Sequence, residues 1–561
     1  MLAAPAVYSW KRTTHRDAGG IMQFQSYAYG TNHWRLDPDL KPILARWWRD
    51  LPRHEAALDE FGALAGGEAY RVADHVDHEC PPTLVMHDLD GNRVDRARLS
   101  PAHEALLRRL AAINRPPYEG GSWHHHFSLG YLLADPGLYC VLIITNQTAY
   151  AIHKYAPEHA AWKERLLTGD AFGATWLTEI HAGSDLGAIR TVARREGTGW
   201  RLDGEKYFAS GAGLADVAIA TARPEGAPDG AKGLALFLVP RLRHDGALNF
   251  TVRRLKWKGG TRAVPTGEVD LADSEAHLIG RVELGIYYAL ENLTLARLAN
   301  SAGAMGLARK AHLEALHRVR ARGAFGHALE DHPLVRRDLT DLAVRTAAGL
   351  ALTFRAVEAF DRCWHLPPPF SADYHYARLL AHLAKGRTAE HAAVCTQLGL
   401  ELFGGLGFLE EVAVARLHRE ALVTPIWEGA ANIQALDMLE VLAKKRAAEP
   451  FAAEMLGDLA QVRTSEARLA RERIEGTLGE LRSTDIEGAQ WHGKETLRTL
   501  ADAASVALLY RTAEAGGERF AKLAALAAQH LLARAEYPQW ALRDREVWDV
   551  LPAGERFGTR S

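Results

Sequence analysis

The 561-residue chain predicts a mostly α-helical protein, interrupted by one central β domain and extended by a further C-terminal helical domain. Apolar residues recur at a helical period from roughly Leu40 to Leu167, and again from Gly285 to about Lys445. Between about Ala171 and Gly280 the period shortens and turn formers crowd in. The stretch from Phe451 to Ser561 is rich in Ala and Leu, with turn signals of its own.

Taken in order, residues 1–168 read as an irregular arm followed by a helical domain, broken at Pro116-Pro117 and Gly120-Gly121. Residues 169–283 read as a compact antiparallel β domain. Its expected strands are Val192 to Leu202, Lys206 to Phe208, Val217 to Thr221, Leu234 to Pro240 and Phe250 to Leu255. Gly197-Thr-Gly199, Asp203-Gly204 and Pro228-Asp-Gly230 are the turns between them. Residues 284–447 predict a bundle of four or five long helices, interrupted at Pro333, Pro367-Pro-Pro369 and Gly404-Gly405. Residues 448–561 form the added helical domain, with turns near Gly479, Gly516-Gly517 and Pro538.

Lys plus Arg (67) nearly balance Asp plus Glu (69), so no global field recruits nucleic acid or an anionic membrane. Cys80, Cys140, Cys363 and Cys395 lack paired spacing, which argues against a disulfide framework or a structural zinc site and for a reducing compartment. No apolar run reaches the length of a membrane span, and the start, Met1 to Arg12, does not read as a leader. A soluble cytoplasmic protein is expected.

The segment Pro425-Ile-Trp-Glu-Gly-Ala-Ala-Asn-Ile-Gln434 places Glu428 between an aromatic and a glycine at the head of an apolar helical pattern continued by Leu436 and Leu439. Asn432 lies about one turn on. Such an acid is either a solvated helix end or a buried general base, whose pKa desolvation would raise toward neutrality. Four further segments suit ligand contact. Leu177-Thr-Glu-Ile-His-Ala-Gly-Ser-Asp185 and Lys206-Tyr-Phe-Ala-Ser-Gly211 offer hydroxyls and close backbone approach, though taken alone they read first as a capped turn and an ordinary strand. Arg322-Gly-Ala-Phe-Gly326 and Glu401-Leu-Phe-Gly-Gly-Leu-Gly-Phe408 combine a fixed cation, aromatics and glycines in the manner of a diphosphate site.

The order and spacing of these segments resemble the acyl-CoA dehydrogenase family over roughly residues 80–445. The resemblance implies that family's fold, with N-terminal helices, a middle β-barrel and a C-terminal four-helix bundle, here carrying an extra helical domain. It implies a non-covalent FAD cofactor. Leu177, Thr178, Ser184, Phe208 and Ser210 would cradle the ring, while Arg322, Phe325, Glu401, Gly404, Gly405 and Asn432 complete the cofactor site, with the diphosphate segments acting across a subunit interface. It assigns Glu428 as the base that removes the α-proton of an acyl-CoA thioester, the β-hydride passing to flavin N5. Ser184, Arg297, Trp427 and Gly429 would contact substrate. An external electron-transfer acceptor and a homotetramer, built as a dimer of dimers, follow from the same resemblance.

The Asn-His-Trp-Arg-Leu-Asp37 arm, Pro-Pro-Thr-Leu84, the Asp-Gly-Asn92 turn, Ile-Trp-Glu-Gly and the helical tail are similar to the AidB-like alkylation-response branch, extending the match over most of the chain. Departures from the family pattern are Thr294 in place of Asp, Glu401 in place of Gln, Ala430 in place of Thr, and Trp427 in place of Tyr. They put ordinary CoA recognition in doubt and favour an altered or restricted substrate.

The competing reading is a flavin-containing stress-response protein that binds DNA and has weak or no dehydrogenase activity. Residues 451–561 hold 15 Lys/Arg against 17 Asp/Glu, so charge does not favour DNA on this tail. The basic stretch Arg253, Arg254, Lys256, Lys258 and Arg262 around Trp257 reads as a solvated hairpin face or a phosphate contact. His124-His-His126 point in different directions and lack a spaced carboxylate or Cys, so no metal site is expected. His181 stays unassigned.

Overall fold

Seven helices build the first layer: α1 (Leu40–Trp47), α2 (Leu51–Gly66), α3 (Glu68–His78), α4 (Pro101–Leu110), α5 (Trp123–Leu133), α6 (Pro136–Tyr155) and α7 (Ala160–Thr168). The computed structural model describes residues 26–533, 540 and 544–549. The expectations for Met1 to Arg12 and for a turn at Pro538 fall outside these residues. Between α3 and α4 runs a hairpin of β1 (Thr83–His87) and β2 (Arg93–Arg98), in a region expected to be helical. Asp88 shapes its turn by accepting from the N–H groups of Asp90 and Asn92 at 3.0 and 2.8 Å.

The central domain comprises β3 (Gly173–Trp176), β4 (Val192–Glu196), β5 (Gly199–Ser210), β6 (Val217–Pro224), β7 (Ala235–Pro240), β8 (Thr251–Leu255) and β9 (Thr266–Leu278). Pairing runs β6–β4–β5–β9–β7 and returns to β6, so the hydrogen bonding closes on itself as a small barrel. The sheet is not purely antiparallel, since β3 and β4 each pair with β6 in parallel. The expected strand Val192 to Leu202 is two strands broken at Gly197, and Asp203-Gly204 is a bulge inside β5 rather than a turn. The 13-residue β9 carries the barrel, pairing with β5, β7 and β8. Its acids are neutralised across the strands: Glu268 meets Lys256 at 2.8 Å and Arg254 at 2.7 Å, and Asp270 meets Arg253 at 2.5 Å.

The bundle has three long helices, α8 (Gly285–Ala321), α9 (Pro333–Cys363) and α10 (Ala372–Phe403), and two shorter ones, α11 (Ala413–Ala421) and α12 (Ala431–Lys444). Helices α8 and α10 run parallel. Arg297 lies 3.3 Å from the His382 ring, and a Cβ at Gly399, farther along α10, would rest 3.3 Å from Ala311. Their C-terminal ends therefore share one end of the bundle. Small residues let backbones close in, so that a Cβ at Gly306 would strike the Tyr131 carbonyl of α5.

The tail forms α13 (Ala448–Ala460), α14 (Ser465–Ser483), α15 (Ile486–Trp491), α16 (Gly493–Gly516), α17 (Glu518–Ala527) and α18 (Arg545–Trp548). Ion pairs fix it to the bundle, Arg387–Asp502 at 2.7 Å and Arg355–Glu454 at 2.6 Å, and to the start of α1, Arg519–Asp39 at 3.0 Å. Burial pushes the Asp39 carboxyl up, but Arg519 and Arg309 outweigh it and hold the group down at about 2. The tail is thus packed into the molecule rather than appended. Among the described residues no helix is long and apolar enough to cross a membrane.

Candidate active site

Glu428 and Gly429 form a left-handed turn, with φ of +55° and +88°, between α11 and α12. A non-glycine residue in this region stores roughly 1–3 kcal/mol and persists only where its surroundings hold it. Three helices do so. Arg297 on α8 donates through Nε to the Glu428 carbonyl at 3.1 Å. Gln434 on α12 donates through Nε2 to the Glu428 and Gly429 carbonyls, both at 2.9 Å. Lys385 on α10 donates through Nζ to the Gly429 carbonyl at 2.6 Å. Behind this clamp Asp437 pairs with Arg297 at 3.0 Å, and His382 Nδ1 meets Gln434 Oε1 at 3.0 Å.

Burial raises the Glu428 carboxyl above its ordinary range, and the charges of Arg297 and then Lys385 restrain that rise. Burial pushes Lys385 down to about 7, with Glu428 opposing. A carboxylate with its pKa raised in this way is a stronger proton acceptor when ionised than a solvated one.

Glu428 stands on a narrow, mostly apolar cavity lined by Tyr139, Cys140 and Ile143 of α6, Asn300 and Gly303 of α8, and Trp427. The Trp427 indole N–H donates to Asn300 Oδ1. Tyr139 is seated against Gly130, where any Cβ would overlap its ring. Gly130→Ala should therefore cost about 1–3 kcal/mol of stability, read as a lower melting temperature.

The barrel meets this cavity at Cys140, whose thiol is pushed up to about 12 by burial and adjoins both Ser210 and Glu428. Around Ser210 the two β segments interlock: Tyr207 N–H donates to the Thr178 carbonyl at 2.8 Å and Trp176 Nε1 to the Ser210 carbonyl at 3.0 Å. Phe208 sits at a bulge with φ of +54° and is 59% exposed, an aromatic held outward. The Thr175 hydroxyl, on β3 next to Trp176, is buried without a protein partner among the described residues.

Family models match this architecture in register: the adaptive response protein AidB N-terminal domain at residues 25–171, the acyl-CoA dehydrogenase middle domain at 174–274 and the acyl-CoA dehydrogenase C-terminal domain at 283–443. The 3-methylmercaptopropionyl-CoA dehydrogenase of Ruegeria pomeroyi is 31% identical over 487 residues, covering 78% of this chain and 79% of that protein. The chain belongs to the acyl-CoA dehydrogenase family. It falls in the AidB-like branch, with Escherichia coli AidB 30% identical over 392 residues, 65% of this chain and 70% of its own. The Caenorhabditis elegans ACDH-11 structure, in complex with C11-CoA, superposes with a TM-score of 0.81 at 25% identity, covering 95% of this chain and 97% of that one. The protein is an FAD-dependent acyl-CoA dehydrogenase. The outward Phe208, the half-exposed hydroxyls of Thr178 and Ser210 and the orphaned Thr175 hydroxyl fit a planar ring with polar edges, so the residues present suit the flavin.

Asn432 and Arg297 stand elsewhere in this acyl-CoA dehydrogenase than the sequence suggested. Asn432 is exposed, as is Leu436, because α12 begins only at Ala431 and its phase turns Gln434 toward the base instead. The surroundings of Glu428 are not purely apolar, since two cations flank it. Arg297, expected to meet substrate, is buried and grips the base's own turn. Arg322, Phe325, Glu401, Gly404 and Gly405 are exposed at the shared C-terminal end of α8 and α10, and Glu401 accepts from Gln397 at 3.2 Å. Ser184 and His181 are exposed on the loop after β3. Thr294 is buried, donating to the Leu290 carbonyl at 3.1 Å.

His124, His125 and His126 do point apart along α5, but two carboxylates distant in sequence, Glu358 and Asp361, approach His124. Those acids are engaged by Arg362 at 2.5 Å and by the Trp123 N–H at 2.7 Å, which reads as a capped helix start. The basic stretch is largely paired: Arg253 and Arg254 meet acids, and Lys258 donates into the carbonyls of Thr261 and Val264 at 2.6 Å. Lys385 and Asn300 carry no signal in the sequence, since both read as ordinary positions within helices.

Proposed function

We propose that the protein oxidises a short or otherwise restricted acyl-CoA thioester between Cα and Cβ, with Glu428 as the base. The observation that carries this is the clamped turn, which holds a carboxylate of raised pKa at an apolar cavity. Glu428 takes the α-proton, while its backbone N–H, on the same rigid turn, would donate to the thioester carbonyl as negative charge develops there. Bound FAD would supply the acceptor for the hydride leaving the β-carbon and a route for its electrons to an external carrier. Leu177, Thr178, Ser184, Phe208 and Ser210 would hold its ring, and the hydrogen bond from Trp427 to Asn300 narrows the acyl cavity beside it. Relatives bracket the chain class: the Ruegeria protein is named for a 3-methylmercaptopropionyl thioester, and the Caenorhabditis elegans protein was seen with C11-CoA.

A homotetramer, a dimer of dimers, accounts for the remaining cofactor segments. Arg322, Phe325, Gly404 and Gly405 lie at the bundle end roughly 36 Å along α8 from Arg297, taking 1.5 Å per residue over the 24 residues to Ala321. Exposed and remote from this chain's own base, they suit the diphosphate of a neighbour's FAD. Unpaired cysteines, three of them buried, suit the reducing cytoplasm.

The test is anaerobic bleaching of the flavin band by a panel of short, branched, long-chain and aryl-acyl-CoA thioesters. Reduction by a short thioester is the expected result. Bleaching by dithionite but by no thioester overturns the reading, and salt-sensitive duplex binding would then favour the DNA-binding alternative.

A further inference from the structure

The polar groups facing the acyl cavity are accounted for, with one exception. The Tyr139 hydroxyl lies 3.2 Å from His126 Nε2, the Thr424 hydroxyl donates to the Ala421 carbonyl at 2.8 Å, and the Cys140 thiol stays neutral, pushed up to about 12 by burial. Asn300 is different. It is 6% exposed and lines the cavity. An indole N–H can only donate, so its contact with Asn300 identifies the accepting atom as Oδ1 and leaves Nδ2 as the free end of the amide. Nδ2 is buried and has no partner among the described residues. A buried donor without an acceptor is costly, and a site holding one discriminates by supplying that acceptor from the ligand.

We propose that the preferred acyl chain carries a hydrogen-bond acceptor, an ether or keto oxygen, a hydroxyl or a thioether sulfur, that pairs with the Asn300 side-chain amide. This rests on the reading of Glu428 as the base at this cavity and adds the chemistry of the chain beyond the reacting carbons. A plain alkyl chain of the same length would seal the amide against apolar atoms. Trp427 acts with Asn300 by fixing which end of the amide faces the ligand.

The experiment compares pentanoyl-CoA with 3-methoxypropanoyl-CoA and 3-(methylthio)propanoyl-CoA, and heptanoyl-CoA with ether analogues whose oxygen is walked along the chain. At one position the heteroatom analogue should exceed the hydrocarbon about tenfold in kcat/KM, the effect of one buried pairing. Asn300→Leu should collapse that ratio. Asn300→Ala, which leaves no side-chain donor at all, should remove the preference as well, and melting curves of both variants report folding. The proposal is overturned if the hydrocarbons match every heteroatom analogue, or if the ratio survives in both variants. Should no thioester reduce the flavin, the dehydrogenase reading fails separately. The same preference is then read from dissociation constants on Glu428→Gln protein, where equal values for paired analogues overturn the Asn300 assignment on its own.

Discussion

Glu428→Gln should slow flavin reduction by the best acyl-CoA by about 10²- to 10⁴-fold, the range that a positioned general base supplies. The substitution keeps the side-chain volume and removes only the proton-accepting charge. The turn itself is held through backbone carbonyls, by Arg297, Gln434 and Lys385, so its left-handed geometry does not depend on the carboxylate. FAD content, melting temperature and thioester affinity should consequently stay near wild type while the rate falls. Glu428→Asp is the sharper companion. It retains the charge but withdraws it by one methylene, and a misplacement of about 1 Å costs on the order of 10²-fold. If Glu428→Gln reduced flavin as fast as wild type, the base would have to lie elsewhere.

That base was legible because everything marking it is local: an aromatic, an acid and a glycine in sequence at the start of a helical pattern. Its support was not, because the donors come from three helices, at positions 297, 385 and 434. Lys385 sits in an Ala- and Leu-rich helix where a lysine reads as the solvated face, and only packing against α8 and α12 buries it. Helical phase counted from Glu428 points to Asn432, whereas residues 428–430 are not helical and α12 turns Gln434 toward the base. The same logic hid β9. Its acids break the apolar alternation of a strand, and the lysine and arginines that neutralise them lie on neighbouring strands. The flavin segments were recognisable as motifs, yet their separation along α8, which argues for a shared cofactor site, is a property of helix direction and not of spacing.

Lys385→Met should lower kcat about 100-fold with KM little changed, and move the acid limb of the kcat profile to higher pH. Two effects are combined, and other variants separate them. The ammonium donates to the Gly429 carbonyl, so its loss leaves a buried acceptor unpaired and lets the turn drift. Its charge also opposes the desolvation that raises Glu428. Losing a nearby cation raises a carboxyl pKa further; since the base works only when ionised, activity must then appear at higher pH, which sets the sign. The groups facing Glu428 that remain are Arg297 from α8, Cys140 from α6 and, behind Arg297, Asp437 from α12 and His382, which burial pushes down to about 3 and keeps neutral. None of them replaces a cation at Gly429. Lys385→Gln, which can still donate but is uncharged, should shift the limb while recovering much of kcat. Lys385→Arg should keep the limb in place. A Lys385→Met protein with both quantities unchanged would reduce this lysine to filler, and would leave the strained turn held by Arg297 and Gln434 alone.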